Sequence, residues 1–184
     1  MGVLMKHSFE TKRLFIRRYT DADINAFWNV VKKDDIYKTT YAIPKYYPKE
    51  RVKWWFNYQN NEYRNGTSYE YGIFDKHNGT YIGNCGIINV RKSLFSGSIT
   101  YFIDPDMCNR GYATEAALQM LNFAFYDLFL VRVSGMCMSI NPASRRVMEK
   151  INFKFEGTGR SELYKDGKFI DVDHLSILRH EFIK

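Results

Sequence analysis

The segment Asn109-Arg110-Gly111-Tyr112-Ala113-Thr114 runs straight into strong helix formers, so a glycine between a guanidinium and an aromatic ring opens a helix. A helix start usually carries Ser, Thr, Asp or Asn, whose side chain accepts a loose first-turn amide. Gly111 offers no such group. Free amides and the positive end of the helix dipole point the same way, and glycine lets an anion approach the backbone, so this start suits a phosphate. It would serve equally as a plain turn. A second candidate is Asn141-Pro142-Ala143-Ser144, which sets an amide and a hydroxyl three residues apart at another helix start. Such a pair can hold or protonate a reacting group, and it is also an ordinary way to begin a helix.

Around these segments the hydrophobic pattern predicts the elements that position them. After Gly111, Leu118, Leu121, Phe125 and Leu128 recur at spacings of three, four and three, with Ala117 and Ala124 widening the same face, which predicts a helix with that face buried. Upstream, residues 13–18 alternate as a half-buried strand. Thr20 and Asp23 cap a helix carrying Ile24, Phe27, Trp28 and Val31, and Pro44 and Pro48 mark a loop. A second helix carries Val52, Trp55, Phe56 and Gln59 and ends near Asn65-Gly66. Strands follow at 69–75, 80–90 and 98–104, the first two joined by an Asn78-Gly79 hairpin turn. Beyond the Gly111 helix come a strand at 130–138, the Asn141 helix with Val147, Met148 and Ile151, and a closing hairpin of 153–165 and 169–181. The predicted fold is α/β (α+β): one domain over residues 1–184, with a mixed, mostly antiparallel sheet flanked by helices.

Charge and composition narrow the function classes. The net charge is +7, and up to Trp55 twelve Lys and Arg face six Asp and Glu. The basic excess therefore lies in the first third, where it could attract an acidic protein, a nucleic acid or a phosphorylated ligand, or simply be a solvated surface. Cys85, Cys108 and Cys137 show no CxxC pairing, so neither a disulfide framework nor a metal site is expected. With no apolar run of spanning length and no signal-peptide pattern, the expectation is a cytoplasmic protein with no membrane partner. Between Tyr41 and Tyr63 lie eight aromatics interleaved with Lys45, Lys49, Arg51, Lys53 and Arg64. Single-stranded nucleic-acid binders use such a composition. The helical spacing of Val52, Trp55 and Phe56 favours packing on the sheet instead, so nucleic acid is not the expected partner.

Taken in order, TKRLFIRRYTDAD, TYFIDPDMCNRGYATEA and NPASRRVMEKINFKFEG resemble the GNAT superfamily of N-acetyltransferases, and more closely its RimJ/RimL subgroup, over nearly the whole chain. The resemblance implies an acetyl-CoA-dependent transfer to a primary amine, with no metal and no acyl-enzyme. It implies that Cys108, Asn109, Arg110, Gly111, Tyr112, Ala113 and Thr114 wrap the pyrophosphate, the phosphate oxygens replacing the missing cap. It sets Phe102 and Ile103, next to Tyr101, beside the cofactor, with a backbone N–H polarising the thioester carbonyl. Asn141 would hold cofactor or reacting groups, and Ser144 would protonate the departing thiolate. Two positions depart from the pattern with a permissive residue: Asn109 and Asn152 stand where relatives carry Gly. Cys108 is another departure, either a small filler or a thiol near the CoA sulfur.

The general base is missing from its usual place, since Ser98 stands where relatives often carry Glu. Glu70, Asp104, His77 and His174 are the available stand-ins, acting through water, but each reads first as a surface or turn residue. An α-amine of pKa about 7.8 needs less help than a lysine-type amine of about 10.4. The expected acceptor is therefore a peptide or protein N terminus, the resemblance to RimL-type enzymes implying an acidic protein partner, with a small-molecule amine such as a polyamine, amino acid or amino sugar as the alternative. A CoA-binding or nucleic-acid-binding module without catalysis is the reading from another class. The resemblance implies a monomer or homodimer.

Overall fold

In the computed structural model, which describes residues 6–182, eight strands form one sheet in the order β1-β2-β3-β4-β5-β6-β8-β7. The ends of the expected domain lie outside the described residues. The strands are β1 (Ser8–Glu10), β2 (Leu14–Arg17), β3 (Tyr69–Asp75), β4 (Tyr81–Arg91), β5 (Ser96–Ile103), β6 (Arg132–Met138), β7 (Lys154–Lys165) and β8 (Lys168–Leu178). All neighbours run antiparallel except β5 and β6. The helices are α1 (Ile24–Val31), α2 (Asp34–Thr39), α3 (Lys49–Asn65), α4 (Tyr112–Asn122) and α5 (Pro142–Lys150). The mixed, mostly antiparallel sheet is as expected. Two short elements, β1 and α2, are additions, each too short to set up a visible period.

The two faces of the sheet bury different sets. One face carries Tyr71, Ile73, Cys85, Ile87, Ile99 and Val133 against Ala116, Ala117, Met120 and Leu121 of α4 and Met148 of α5. The other, over β3 and β4, carries Phe74 and Tyr81 against Phe27, Val30, Val52 and Phe56 of α1 and α3. Burying each of the Val, Leu, Ile, Phe and Met side chains among them contributes about 1.5–3 kcal/mol. The α4 face differs from the expected one at a single position: Ala117, Leu121, Ala124 and Phe125 are buried and Leu128 is partly buried, but Leu118 is 39% exposed. A π-helical turn follows α4 over Phe123–Asp127, closed by the Leu128 N–H to Phe123 O bond at 3.0 Å. It shifts the phase of the helix, so no single 3.6-residue stripe describes both ends.

Local turn chemistry explains the ends of elements. α3 stops at Gly66 in the left-handed conformation, φ +72°, as a helix C-terminus prefers. Asp166 and Gly167, both with positive φ, make the tight β7–β8 turn. Asn109 (φ +62°) and Asn152 (φ +69°) occupy the left-handed region, which asparagine tolerates better than most residues other than glycine.

Candidate functional site

β5 and β6 pair over only three residues each, Ser96, Gly97 and Ser98 against Arg132, Val133 and Ser134. The hydroxyls of Ser98 and Ser134 meet at 2.8 Å. Beyond that point the strands part, although β5 continues to Ile103 and β6 to Met138. Farther along, the Tyr101 hydroxyl donates to the Ser144 carbonyl at 3.0 Å and lies 3.1 Å from Ser144 Oγ, tying β5 to α5 across the gap. Burial pushes the Tyr101 phenol well above its ordinary range, so it stays protonated.

The sheet register says which amides face this gap. The Asp104 N–H bonds Ile82 O at 2.7 Å while Ile103 lies opposite Gly83. Antiparallel alternation then commits the N–H groups of Thr100 and Phe102 to β4 and turns those of Tyr101 and Ile103 toward the gap. Of the two residues singled out beside the cofactor, Ile103 presents its amide. Phe102 instead bonds β4 through its backbone and packs its ring with Phe27, centroids 6.1 Å apart.

At the end of β5 the chain turns through Pro105–Met107 and enters the Gly111 start. Gly111 has φ +79° and α4 has no side-chain cap. The Glu115 N–H bonds Gly111 O at 3.1 Å, so the amides of Tyr112, Ala113 and Thr114 precede that bond. A Cβ at Gly111 would meet only Arg13 Nη2, at 3.4 Å; the space before the helix is open. Arg110 is exposed and its guanidinium reaches back to Asp106 O at 3.4 Å. Cys108 is exposed, and its thiol lies 3.6 Å from Asp104 O. Desolvation, then the Asp104 and Asp106 charges, raises that thiol, which suits a small filler rather than a reactive thiolate.

Sequence reasoning missed the clamp that fixes this loop. Arg13 donates through Nη1 to Arg110 O at 2.8 Å and through Nε to Glu115 Oε2 at 2.7 Å. Its guanidinium also lies 4.6 Å from the centre of the Tyr112 ring. Glu115 accepts further bonds from the Arg13 amide at 2.9 Å and Thr11 Oγ1 at 2.6 Å. Partial burial works to raise the Glu115 carboxyl, but the Thr11 and Arg13 bonds hold it below its ordinary value.

Asn141 caps α5, its Oδ1 accepting from Ser144 N at 3.2 Å and its Nδ2 donating to Thr39 O at 3.0 Å. Both polar ends are therefore in use, and what Asn141 positions is Ser144 beside Tyr101. The candidate bases separate by surroundings. His77 is exposed in the β3–β4 turn, Asp104 is bound by Lys33, and His174 pairs with Glu162 at 2.7 Å. Glu70, expected as a surface or turn residue, is instead half-buried in β3, accepting from Gln59 Nε2 at 3.3 Å and from Asn84 Nδ2. It lines an open cavity of about 710 Å³ with Gln59, Glu62, Arg91 and Ser98. Desolvation raises its carboxyl to about 7, against the Asn84 bond, which lowers it.

The aromatic stretch divides. Val52 and Phe56 pack inward as expected, but Trp54 and Tyr58 are 59% and 45% exposed and stack at 5.6 Å. Among the described residues no group of His, Cys, Asp and Glu could hold a metal ion, and no helix is long and apolar enough to cross a membrane.

Residues 13–154 match the family profile of the acetyltransferase (GNAT) domain. The chain is 28% identical over 176 residues to YnaD, an uncharacterized N-acetyltransferase of Bacillus subtilis, covering 94% of this chain and 97% of that one. Its fold resembles a spermidine N-acetyltransferase from Vibrio cholerae in complex with CoA and spermine (TM-score 0.83, 19% identity, 94% and 99% coverage). It also resembles RimL, a ribosomal L7/L12 α-N-protein acetyltransferase in complex with coenzyme A (TM-score 0.82, 18% identity, 91% and 95% coverage).

Proposed function

The chain belongs to the GNAT family of acetyl-CoA-dependent N-acetyltransferases, and from that premise we propose that the β5–β6 gap is its transfer site and a peptide or protein N-terminal amine its acceptor. The observation that carries the site is the early parting of β5 from β6, with the uncapped α4 start at the end of β5. The residues present fit acetyl-CoA: open space before Gly111 and the amides of Tyr112, Ala113 and Thr114 suit its phosphates. Asn109 gives the loop its left-handed turn, Arg110 adds a cation, and Cys108 is a small loop residue. Acetyl-CoA supplies the activated thioester carbonyl. The Tyr101 and Ile103 amides stabilise negative charge developing in the gap. Ser144, fixed by the Asn141 cap and the Tyr101 hydroxyl, returns a proton to the leaving sulfur.

The cavity favours a singly charged acceptor. Glu62, Glu70 and Arg91 are the charged residues in its wall, so at most one net negative charge lines it, whereas a polyamine carries several cations that each want an anion. The exposed Lys49, Arg51 and Lys53 open the same helix that supplies Gln59 and Glu62 to the cavity. Arg51 and Gln59 are about 12 Å apart along α3 at 1.5 Å per residue. An extended peptide covers that span in about four residues, so acidic side chains near the fourth position would reach the basic end. The small-molecule neighbour keeps polyamines in the comparison set.

A CoA-release screen over acidic N-terminal peptides, spermidine, lysine and amino sugars tests the acceptor. The peptides should lead in kcat/KM, and a lead by spermidine or lysine would refute that assignment. Titration of Gly111→Ala tests the cofactor site: acetyl-CoA affinity should fall at least tenfold, and an unchanged Kd would move the coenzyme elsewhere. Stabilisation by acetyl-CoA with no turnover of any amine would leave a binding module.

A further inference from the structure

We infer that Glu70 is the general base that takes the ammonium proton of the incoming acceptor. This rests on the reading of the β5–β6 gap as the transfer site.

Placement comes first. Glu70 pairs with Gly86 on β4, and Gly86 pairs with Thr100 on β5, which sets Glu70 about 10 Å across the sheet from β5 at ~4.8 Å per strand. Gly86 makes the approach possible: a Cβ there would lie 2.6 Å from Tyr69 O and 2.9 Å from Glu70 Cγ. The cavity that Glu70 lines is also lined by Ser98, the last β5 residue paired with β6. One cavity therefore has both Glu70 and Ser98, at the point where the gap opens, in its wall.

The surroundings of Glu70 set it apart from the other enclosed carboxylates. Enclosed carboxylates elsewhere among the described residues each face a cation: Asp23 with Arg17, Asp173 with Arg145, Glu115 with Arg13, Asp104 with Lys33 and Glu181 with Lys154. Glu70 has no cationic partner among the described residues; its two donors are the neutral amides of Asn84 and Gln59. Both amides are held in register. Tyr19 OH donates to Asn84 Oδ1 at 2.8 Å, and Ser68 Oγ donates to Gln59 Oε1 at 3.2 Å, so each turns its NH₂ to the carboxyl. A carboxylate kept for stability would be neutralised; this one is oriented and left able to accept a proton.

The groups facing it leave that proton site free. Tyr19, Tyr47, Tyr81 and the Cys85 thiol are all raised by burial and stay protonated through neutral pH. The charged groups in the cavity wall are Glu62 and Arg91. Burial raises the Glu70 carboxyl to about 7, so proton transfer from an α-ammonium of pKa about 7.8 is uphill by only about sixfold. From a lysine-type amine of about 10.4 it is uphill by roughly 10³-fold. The balance is complete: one ammonium proton passes to Glu70, the C–N bond forms as the thioester C–S bond breaks, and the second proton leaves on the thiol. Glu70 then returns its proton to solvent through the cavity.

The test compares Glu70→Gln and Glu70→Asp with the wild type, measuring acetyl-CoA Kd, kcat/KM for an N-terminal peptide and for a weakly basic amine of pKa below 6, and ligand-free Tm from pH 4 to 9. For the peptide the Gln variant should lose about 10²-fold or more, and Asp should recover part of it. For the weakly basic amine, already neutral, the loss should shrink below about fivefold, with acetyl-CoA Kd unchanged. Because the folded carboxyl titrates above its unfolded value, its burial favours the fold below pH 4.5 and that contribution is lost as pH rises through about 7. The Gln variant should therefore melt higher than wild type above pH 7, the difference closing toward pH 4.5. An equal loss for both amines, or no loss, overturns the assignment. Absence of wild-type turnover with every amine overturns the parent reading instead, and the ligand-free Tm profile still reports on the carboxyl.

Discussion

Replacing Glu115 by Gln tests whether the Arg13 clamp holds the coenzyme loop or merely decorates it. The carboxylate accepts three bonds, from Thr11 Oγ1, the Arg13 amide and Arg13 Nε, at 2.6–2.9 Å. Gln keeps an oxygen for the first two, now as neutral bonds about 0.5 kcal/mol weaker each. At Arg13 Nε it offers a competing donor and loses an ion pair whose side chains are 39% and 18% exposed, worth about 1 kcal/mol after screening. The sum is about 2 kcal/mol, or a fall in Tm of roughly 4–8 °C for a chain of this size. Released from Glu115, Arg13 no longer fixes the Arg110 carbonyl, and acetyl-CoA should bind about 5–10-fold more weakly. Glu156→Gln is the control, because Glu156 pairs with Arg132 at 2.6 Å outside the α4 loop; it should lower Tm without touching Kd. Since Glu115 is held below its ordinary value, the clamp acts above the unfolded pKa and fades as pH falls through the folded one. The gap in Tm between wild type and variant should accordingly close in acid. If Glu115→Gln weakens acetyl-CoA no more than Glu156→Gln, as seen by calorimetry, the clamp does not serve the site.

Asn109→Ala should cost about 1 kcal/mol in denaturant unfolding, because alanine resists the left-handed backbone at φ +62°, while Asn109→Gly should change stability by less than about 0.5 kcal/mol. Gly86→Ala should cost about 1–3 kcal/mol, since its Cβ would meet backbone at 2.6 Å. It should also lower kcat/KM beyond the effect of a control of equal stability, because the methyl group displaces Glu70.

Features set by neighbouring residues could be read from the chain. Gly111 at an uncapped helix start, Asn109 and Asn152 in the left-handed region, Gly66 ending α3 and the Asn141 cap are decided within a few residues. Features set across the fold could not. Arg13 and Glu115 are separated by 102 residues, and neither carries a local mark of the other. Glu70 reads as an ordinary polar strand residue until the register lays it over Gly86, the glycine in a β-rich run that was its one available signal. Leu118 fell on the wrong side because a π-helical turn lies where a uniform period was assumed.

Because β5 is bonded along one edge and bare along part of the other, its amides should exchange with solvent in a sawtooth. Thr100 and Phe102, donated to β4, should be slow, while Tyr101 and Ile103, one residue away in the middle of an eight-stranded sheet, should be fast. Deuterium uptake at these four positions would show the interior seam directly, and its flattening on adding coenzyme would mark which amides the ligand takes up.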